Sequence, residues 1–225
     1  MLTACSAGKN DRETQATDVE KNEVTDITIL GTSDIHGRYM AWDYAQDIEN
    51  KAGSFSQIST IIKEIRANTE NTILVDAGDL IQDNSAELFK NDDPHPATEI
   101  LKALDYDVWT MGNHEFDYGF DVLDHVTDQF DGGVLAGNVQ FEDGTPYFDS
   151  YKIIEKAGVK IGFIGMTTPL VAEFKKDTNI FDGKKLTDPV EETIAVVKDL
   201  KKEVDVLIGV VHMEISNEND VIIPA

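Results

Sequence analysis

Four short stretches of the chain carry side chains able to bind a cation or move a proton. Asp34-Ile35-His36-Gly37 sets a carboxylate and an imidazole two positions apart. In extended chain such residues face the same side, so both reach one ion, and Gly37 allows a sharp backbone turn. In Asp76-Ala77-Gly78-Asp79, Gly78 permits close backbone approach. Asp79 is then placed either to bridge two cations or to cap a helix that begins at Leu80-Ile81, with Asp76 as a structural turn residue or a support behind the ligands. Gly112-Asn113-His114-Glu115-Phe116-Asp117 is the most specific stretch. Asn113 offers its amide oxygen to a hard cation, and His114 projects to a different side. Asp117 can orient His114 and favour its protonated form. His212 closes the apolar run Val206 to Val211, where an imidazole ligand is presented at a sheet edge.

The elements that must position these residues alternate between strand and helix. Ile27 to Leu30, Thr72 to Val75, Asp107 to Thr110, Val134 to Ala136 and Val206 to Val211 read as strands. Helical spacing of apolar residues joins Phe55 to Ile65, Ala97 to Leu104, Phe120 to Val126 and Val190 to Leu200. Tyr151 to Glu155 and Lys160 to Ile164 flank Ala157-Gly158 as a hairpin. The pattern is mainly βαβ with one hairpin, which predicts an α/β fold with mixed β-sheet layers flanked by helices. Ligands in such folds sit outside the carboxyl ends of the strands. The polar stretches follow four of those ends.

Length and charge narrow the function. The 225 residues suffice for one α/β domain with a sizeable core. A net charge of -24 repels nucleic-acid polymers, so attraction of an anionic substrate has to be local, most simply through bound metal ions. A single cysteine, Cys5, excludes an intrachain disulfide. Leu2-Thr3-Ala4-Cys5 resembles the lipobox of bacterial lipoproteins, and Ser6 to Thr25 has the polar composition of a tether. Residues 1–25 are therefore expected to be a lipobox remnant and tether, giving a lipid-anchored, extracytoplasmic protein. Trp42, Tyr44 and Trp109 read as packing residues, Arg38 as solvated, His95 as a loop residue between two prolines, and His125 as a surface residue.

Together, Asp-x-His, Gly-Asp, Gly-Asn-His-Glu and the later strand-end histidine resemble the calcineurin-like metallophosphoesterase superfamily. Gly-Asn-His-Glu-Phe-Asp is similar to its 5'-nucleotidase and 2',3'-cyclic-nucleotide 2'-phosphodiesterase branch. Asp79-Leu80-Ile81-Gln82-Asp83-Asn84-Ser85 and Gly165-Met166-Thr167-Thr168-Pro169 resemble its bacterial lipoprotein or wall-attached members. The resemblance implies an αββα sandwich. It also implies two divalent metal ions (manganese, zinc or iron), one held by Asp34, His36 and Asp79 and the other by Asp79, Asn113 and His212. His114 would be the catalytic histidine and Asp117 its partner. The implied reaction is hydrolysis of nucleotide or cyclic-nucleotide phosphate esters, by hydroxide formed between cations about 3.5–4 Å apart. The family's downstream Gly-His-x-His has no counterpart after His212. Residues 26–225 are accordingly expected to be a C-terminally truncated phosphoesterase domain, lacking a C-terminal nucleotide-binding domain. The alternatives are a non-catalytic metal-binding surface protein and an inactive fragment of the enzyme. The catalytic His-Asp pair argues for the enzyme.

Overall fold

In the computed structural model, which describes residues 24–43, 46–51 and 53–213, strands and helices alternate as the apolar periodicity predicts. Cys5, nearly all of the expected tether, and Tyr44 lie outside the described residues. The first half contains β1 (Thr28–Thr32), β2 (Trp42–Asp43), β3 (Ile48–Glu49), α1 (Phe55–Asn68), β4 (Thr72–Asp76), α2 (Ala86–Phe89), α3 (Pro96–Ala103) and β5 (Val108–Thr110). A 3-10 turn (His114–Phe116) leads to α4 (Phe120–Thr127), β6 (Gly133–Leu135), β7 (Val139–Phe141), β8 (Tyr151–Lys156) and β9 (Val159–Thr167). The chain continues through α5 (Leu170–Phe174), β10 (Lys184–Leu186), α6 (Pro189–Leu200) and β11 (Val206–His212).

Two sheets stack. The first is all parallel in the order β1-β4-β5-β6, and the second runs β11-β9-β8. In the second, β8 and β9 form the expected antiparallel hairpin, whose two-residue turn holds both Ala157 and Gly158 at positive φ. The β9–β11 pairing is parallel, with His212 opposite Thr167. The period-2 pattern of the strands makes the layers. On β4, Ile73 and Val75 point between the sheets, with Val108, Leu135, Ile161, Phe163 and Val210. Leu74 and Trp109 point the other way, into a core shared with Phe55, Ile62, Leu101, Leu123 and Val126 of the helices. On the outer face of the second sheet, Ile164 and Met166 meet Leu200 of α6. The result is helices, sheet, sheet, helix, as expected.

Several expectations need correction. His95 is buried and caps α3: its Nδ1 accepts the Ala97 N–H at 3.2 Å, and Pro96 supplies the first helical residue. Trp109 is fully buried, whereas Trp42 on its two-residue strand is 38% exposed and outside the core. The short α2, α5 and the β7–β10 ribbon were not legible from periodicity, because three to five residues cannot display a period.

Candidate metal centre

The loops after β1 and β4 are stitched together by their backbones. Asp34 N–H donates to Gly78 O at 2.9 Å, His36 N–H to Asp79 O at 2.8 Å, and Gly37 N–H to Leu80 O at 2.9 Å. Asp34, His36 and Asp79 are all in the left-handed region, at φ of 56°, 49° and 58°. That conformation costs on the order of 1 kcal/mol each and persists only where the surroundings impose it. It also rules out Asp79 as a helix N-cap, because Leu80 and Ile81 continue as buried irregular chain.

The loop after β5 locks onto this pair. The buried Glu115 carboxylate accepts the N–H groups of Asp79 at 2.8 Å, Leu80 at 2.6 Å and Gly112 at 2.7 Å. Close approach of the two loops depends on Gly78 and Gly112. A Cβ on Gly78 would lie 2.3 Å from Gly112 N, and one on Gly112 would lie 2.3 Å from Asp79 Oδ1. Glu115 was legible only as a letter in a motif; its clamp joins loops that are distant in sequence. Burial, then the neighbouring Asp79 charge, push its carboxyl upward, against the three hydrogen bonds that favour the carboxylate.

This frame gathers the predicted ligands. Asp34, Asp79 and His212 each present a ligand atom within 4.8 Å of the others. His36 Nε2 lies 3.8 Å from Asp34 Oδ1 and 3.9 Å from Asp79 Oδ2. His212 Nε2 lies 3.2 Å from the same Asp79 oxygen. That oxygen therefore faces two imidazoles, while Asp79 Oδ1 accepts the His114 N–H at 2.8 Å. Each ring is held by its other nitrogen: His212 Nδ1 pairs with Ala77 O at 2.8 Å and His36 Nδ1 with Gln82 Oε1 at 3.0 Å. Both partners are acceptors, so both rings carry the proton on Nδ1 and turn Nε2 toward Asp79, the arrangement of imidazoles that ligate a metal. The donor set of two carboxylates and two imidazoles suits a divalent transition metal. Asn113 is half-buried and, with His212, lines a pocket of about 160 Å³ bounded by Thr168, Leu170, Phe174 and Met213.

Within this group, opposite charges pair with each other. Burial works to raise Asp79 and to lower His212, but their mutual hydrogen bond and attraction outweigh it. The Asp79 carboxyl lies below its ordinary value and the His212 ring is carried up to about 9. Asp76 is fully buried behind them and is pushed up to about 7 by burial, although Thr32 Oγ1 at 2.6 Å and Gly78 N–H at 2.9 Å donate to it.

His114 stands beside the ligands. Its ring meets the His36 ring edge-on, 5.3 Å between centroids. Its Nδ1 lies 2.8 Å from Asp117 Oδ2, and the other Asp117 oxygen receives Lys175. Sequence reading gave no sign of the Lys175 and Gln82 contacts.

Residues 27–223 match the family model described as calcineurin-like phosphoesterase. The chain belongs to that family. This calcineurin-like phosphoesterase is 34% identical over 212 residues to the trifunctional nucleotide phosphoesterase protein YfkN of Bacillus subtilis, covering 85% of the present chain and 14% of that one. It is 33% identical over 211 residues to a 2',3'-cyclic-nucleotide 2'-phosphodiesterase/3'-nucleotidase of Haemophilus influenzae, covering 86% and 32% respectively. The chain thus spans less than a third of the length of either curated relative. The crystal structure of the calcineurin-like phosphoesterase YfkN from Bacillus subtilis superposes with a TM-score of 0.78 at 32% identity, covering 84% of this chain and 63% of that one.

Proposed function

We propose that this calcineurin-like phosphoesterase hydrolyses nucleotide phosphate esters with a pair of divalent cations, as a 2',3'-cyclic-nucleotide 2'-phosphodiesterase, a 5'-nucleotidase, or both. The observation that carries the reading is a single buried oxygen, Asp79 Oδ2, facing the Nε2 atoms of His36 and His212 from two different sheets. An oxygen so flanked suits a bridge: Asp34, His36 and Asp79 would hold one cation, and Asp79, Asn113 and His212 the other. When bound, such a pair supplies Lewis acidity and neutralises charge on a phosphate ester. The protein's own residues do the rest. Gln82 and Ala77 O keep the ligand imidazoles in register. Asp117 holds His114 by Nδ1, which leaves Nε2 as the ring atom open to a phosphoryl or leaving-group oxygen, where it can hold or deliver a proton. The relatives' names support nucleotides as the substrate class.

Manganese-dependent hydrolysis of 2',3'-cyclic AMP and of AMP tests this reading, using this chain and the full product of its gene. Release of 3'-AMP or of adenosine that a chelator stops is expected. Metal binding with no turnover of any phosphate ester by either protein would replace the enzyme reading with a binding protein. Placement of the protein outside the cytoplasm on a lipid at Cys5 is part of the same proposal, supported by Leu2-Thr3-Ala4-Cys5 and the polar run after it. Loss of membrane-fraction protein in Cys5→Ala is the expected result, and unchanged fractionation would remove that part. Among the described residues no helix is long and apolar enough to cross a membrane.

A further inference from the structure

Helix α5 brings to the His114–Asp117 pair a cation that the sequence motif does not contain. Lys175 caps the C-terminus of α5, its own N–H returning to Val171 O at 3.0 Å. Its Nζ sits on Asp117 Oδ1, while Asp117 Oδ2 lies 2.8 Å from His114 Nδ1. One carboxylate thus makes a hydrogen bond at one oxygen and an ion pair, outside hydrogen-bond geometry, at the other.

Among the described residues this ion pair differs from the short-range lysine pairs, and from Arg66–Asp105, which also joins separate elements but leaves the Asp105 side chain 89% exposed. Lys102–Glu99, Lys176–Glu173 and Lys202–Asp199 link neighbouring turns at i,i+3. Side-chain exposures in the Lys176 pair are 59% and 65%, and pairs of that kind contribute little. The Lys175 pair connects two separate elements, and its members are only 22% and 16% exposed, so solvent and salt screen it less. A carboxylate held at one oxygen only can turn about its last torsion and release the imidazole. Held at both, it keeps one oxygen on Nδ1.

We infer that Lys175 is a positioning residue: it fixes the Asp117 carboxylate and, through it, the tautomer and orientation of the His114 ring. The inference rests on the reading of His114 as the histidine that serves the reaction. Lys175 acts through Asp117 and touches no reacting atom. The pattern is a line of three side chains, Lys175 to Asp117 to His114, that ends edge-on against His36 at the metal centre.

The test uses Lys175→Met, Lys175→Gln and Lys175→Arg in the zinc-loaded protein, zinc being diamagnetic. The first readout is the downfield proton resonance of His114 Nδ1–H, assigned by its absence in His114→Ala. The second is kcat and KM for 2',3'-cyclic AMP, measured on the whole gene product. In Lys175→Met the resonance should broaden or vanish. Its kcat should fall about 10- to 100-fold, the scale on which small misplacement of a reacting group acts, and KM should stay within about twofold. Lys175→Arg should restore both, and Lys175→Gln stands in if the methionine variant does not fold. An unchanged resonance and kcat in Lys175→Met and Lys175→Gln would overturn the inference. So would an arginine variant as impaired as the methionine one, which would mark a packing role. If His114→Ala itself turns over normally, the reading of the site has failed, while the resonance still decides whether Lys175 places the ring.

Discussion

The two sheets contribute to the metal centre in different ways. The first supplies three loops, after β1, β4 and β5, knitted by cross-loop backbone bonds and by the three-fold clamp of Glu115. The second supplies His212, at the last residue of β11. Its Nδ1 contact with Ala77 O and its Nε2 contact with Asp79 hold that ring across the gap. One half of the site is therefore built into the backbone, and the other depends on docking of one sheet on the other. Asp79 belongs to the rigid half, yet its Oδ2 faces both.

That difference orders the expected effects of change. Asp79→Asn removes the charge that both halves share, so turnover should fall on the order of a thousandfold and metal content should drop; wild-type turnover with full metal would break the comparison at its centre. Glu115→Gln attacks the rigid half alone. An amide offers one acceptor oxygen where the carboxylate offers two, and it leaves buried N–H groups short of a partner. Stability should fall by about 3 kcal/mol, read as the urea midpoint. An unchanged midpoint would mean that the loops do not need the clamp.

Gln82→Ala is a smaller, local change. It frees His36 Nδ1 without touching a ligand, so metal affinity should weaken by about 10- to 100-fold while the urea midpoint holds. Calorimetric titration with manganese measures the first, and an affinity equal to wild type would show that β1's loop alone orients His36.

A buried histidine that is not among the candidate ligands gives a control. Burial, which disfavours the charged ring, holds His95 down to about 4, and a protonated Nδ1 could no longer accept from Ala97. The folded-state value lies below the ordinary 6.5, so the stabilisation is fully present above about 6.5 and is lost as pH falls from there toward 4. Thermal melts over that range should decline more steeply for the wild type than for His95→Asn, which caps without titrating. Parallel declines would remove His95 as the cause.

The same contrast explains what was legible in the sequence. Asp34, His36 and Asp79 were readable because each follows an apolar run that had to be a strand, and strand ends gather on one edge. The α/β class followed from the βαβ order with its one hairpin, and the αββα layering from the family resemblance. Glu115 was visible as a letter without a task, since its three partners come from two loops brought together only by folding. The contacts of Lys175 and Gln82 were invisible for the same reason, although Gln82 itself lies in the Asp79 to Ser85 stretch: a contact across elements leaves no local pattern. His95 looked like a loop residue because Pro94 and Pro96 mask the helix start that it caps.

The most direct test of the account is an anomalous-scattering map from crystals grown with manganese. Two peaks flanking Asp79 Oδ2, one within reach of Asp34 and His36 and one within reach of Asn113 and His212, are the predicted result. A single peak that leaves either histidine without metal, or no peak on Asp79, would contradict the claim that this carboxylate joins the two halves of the site.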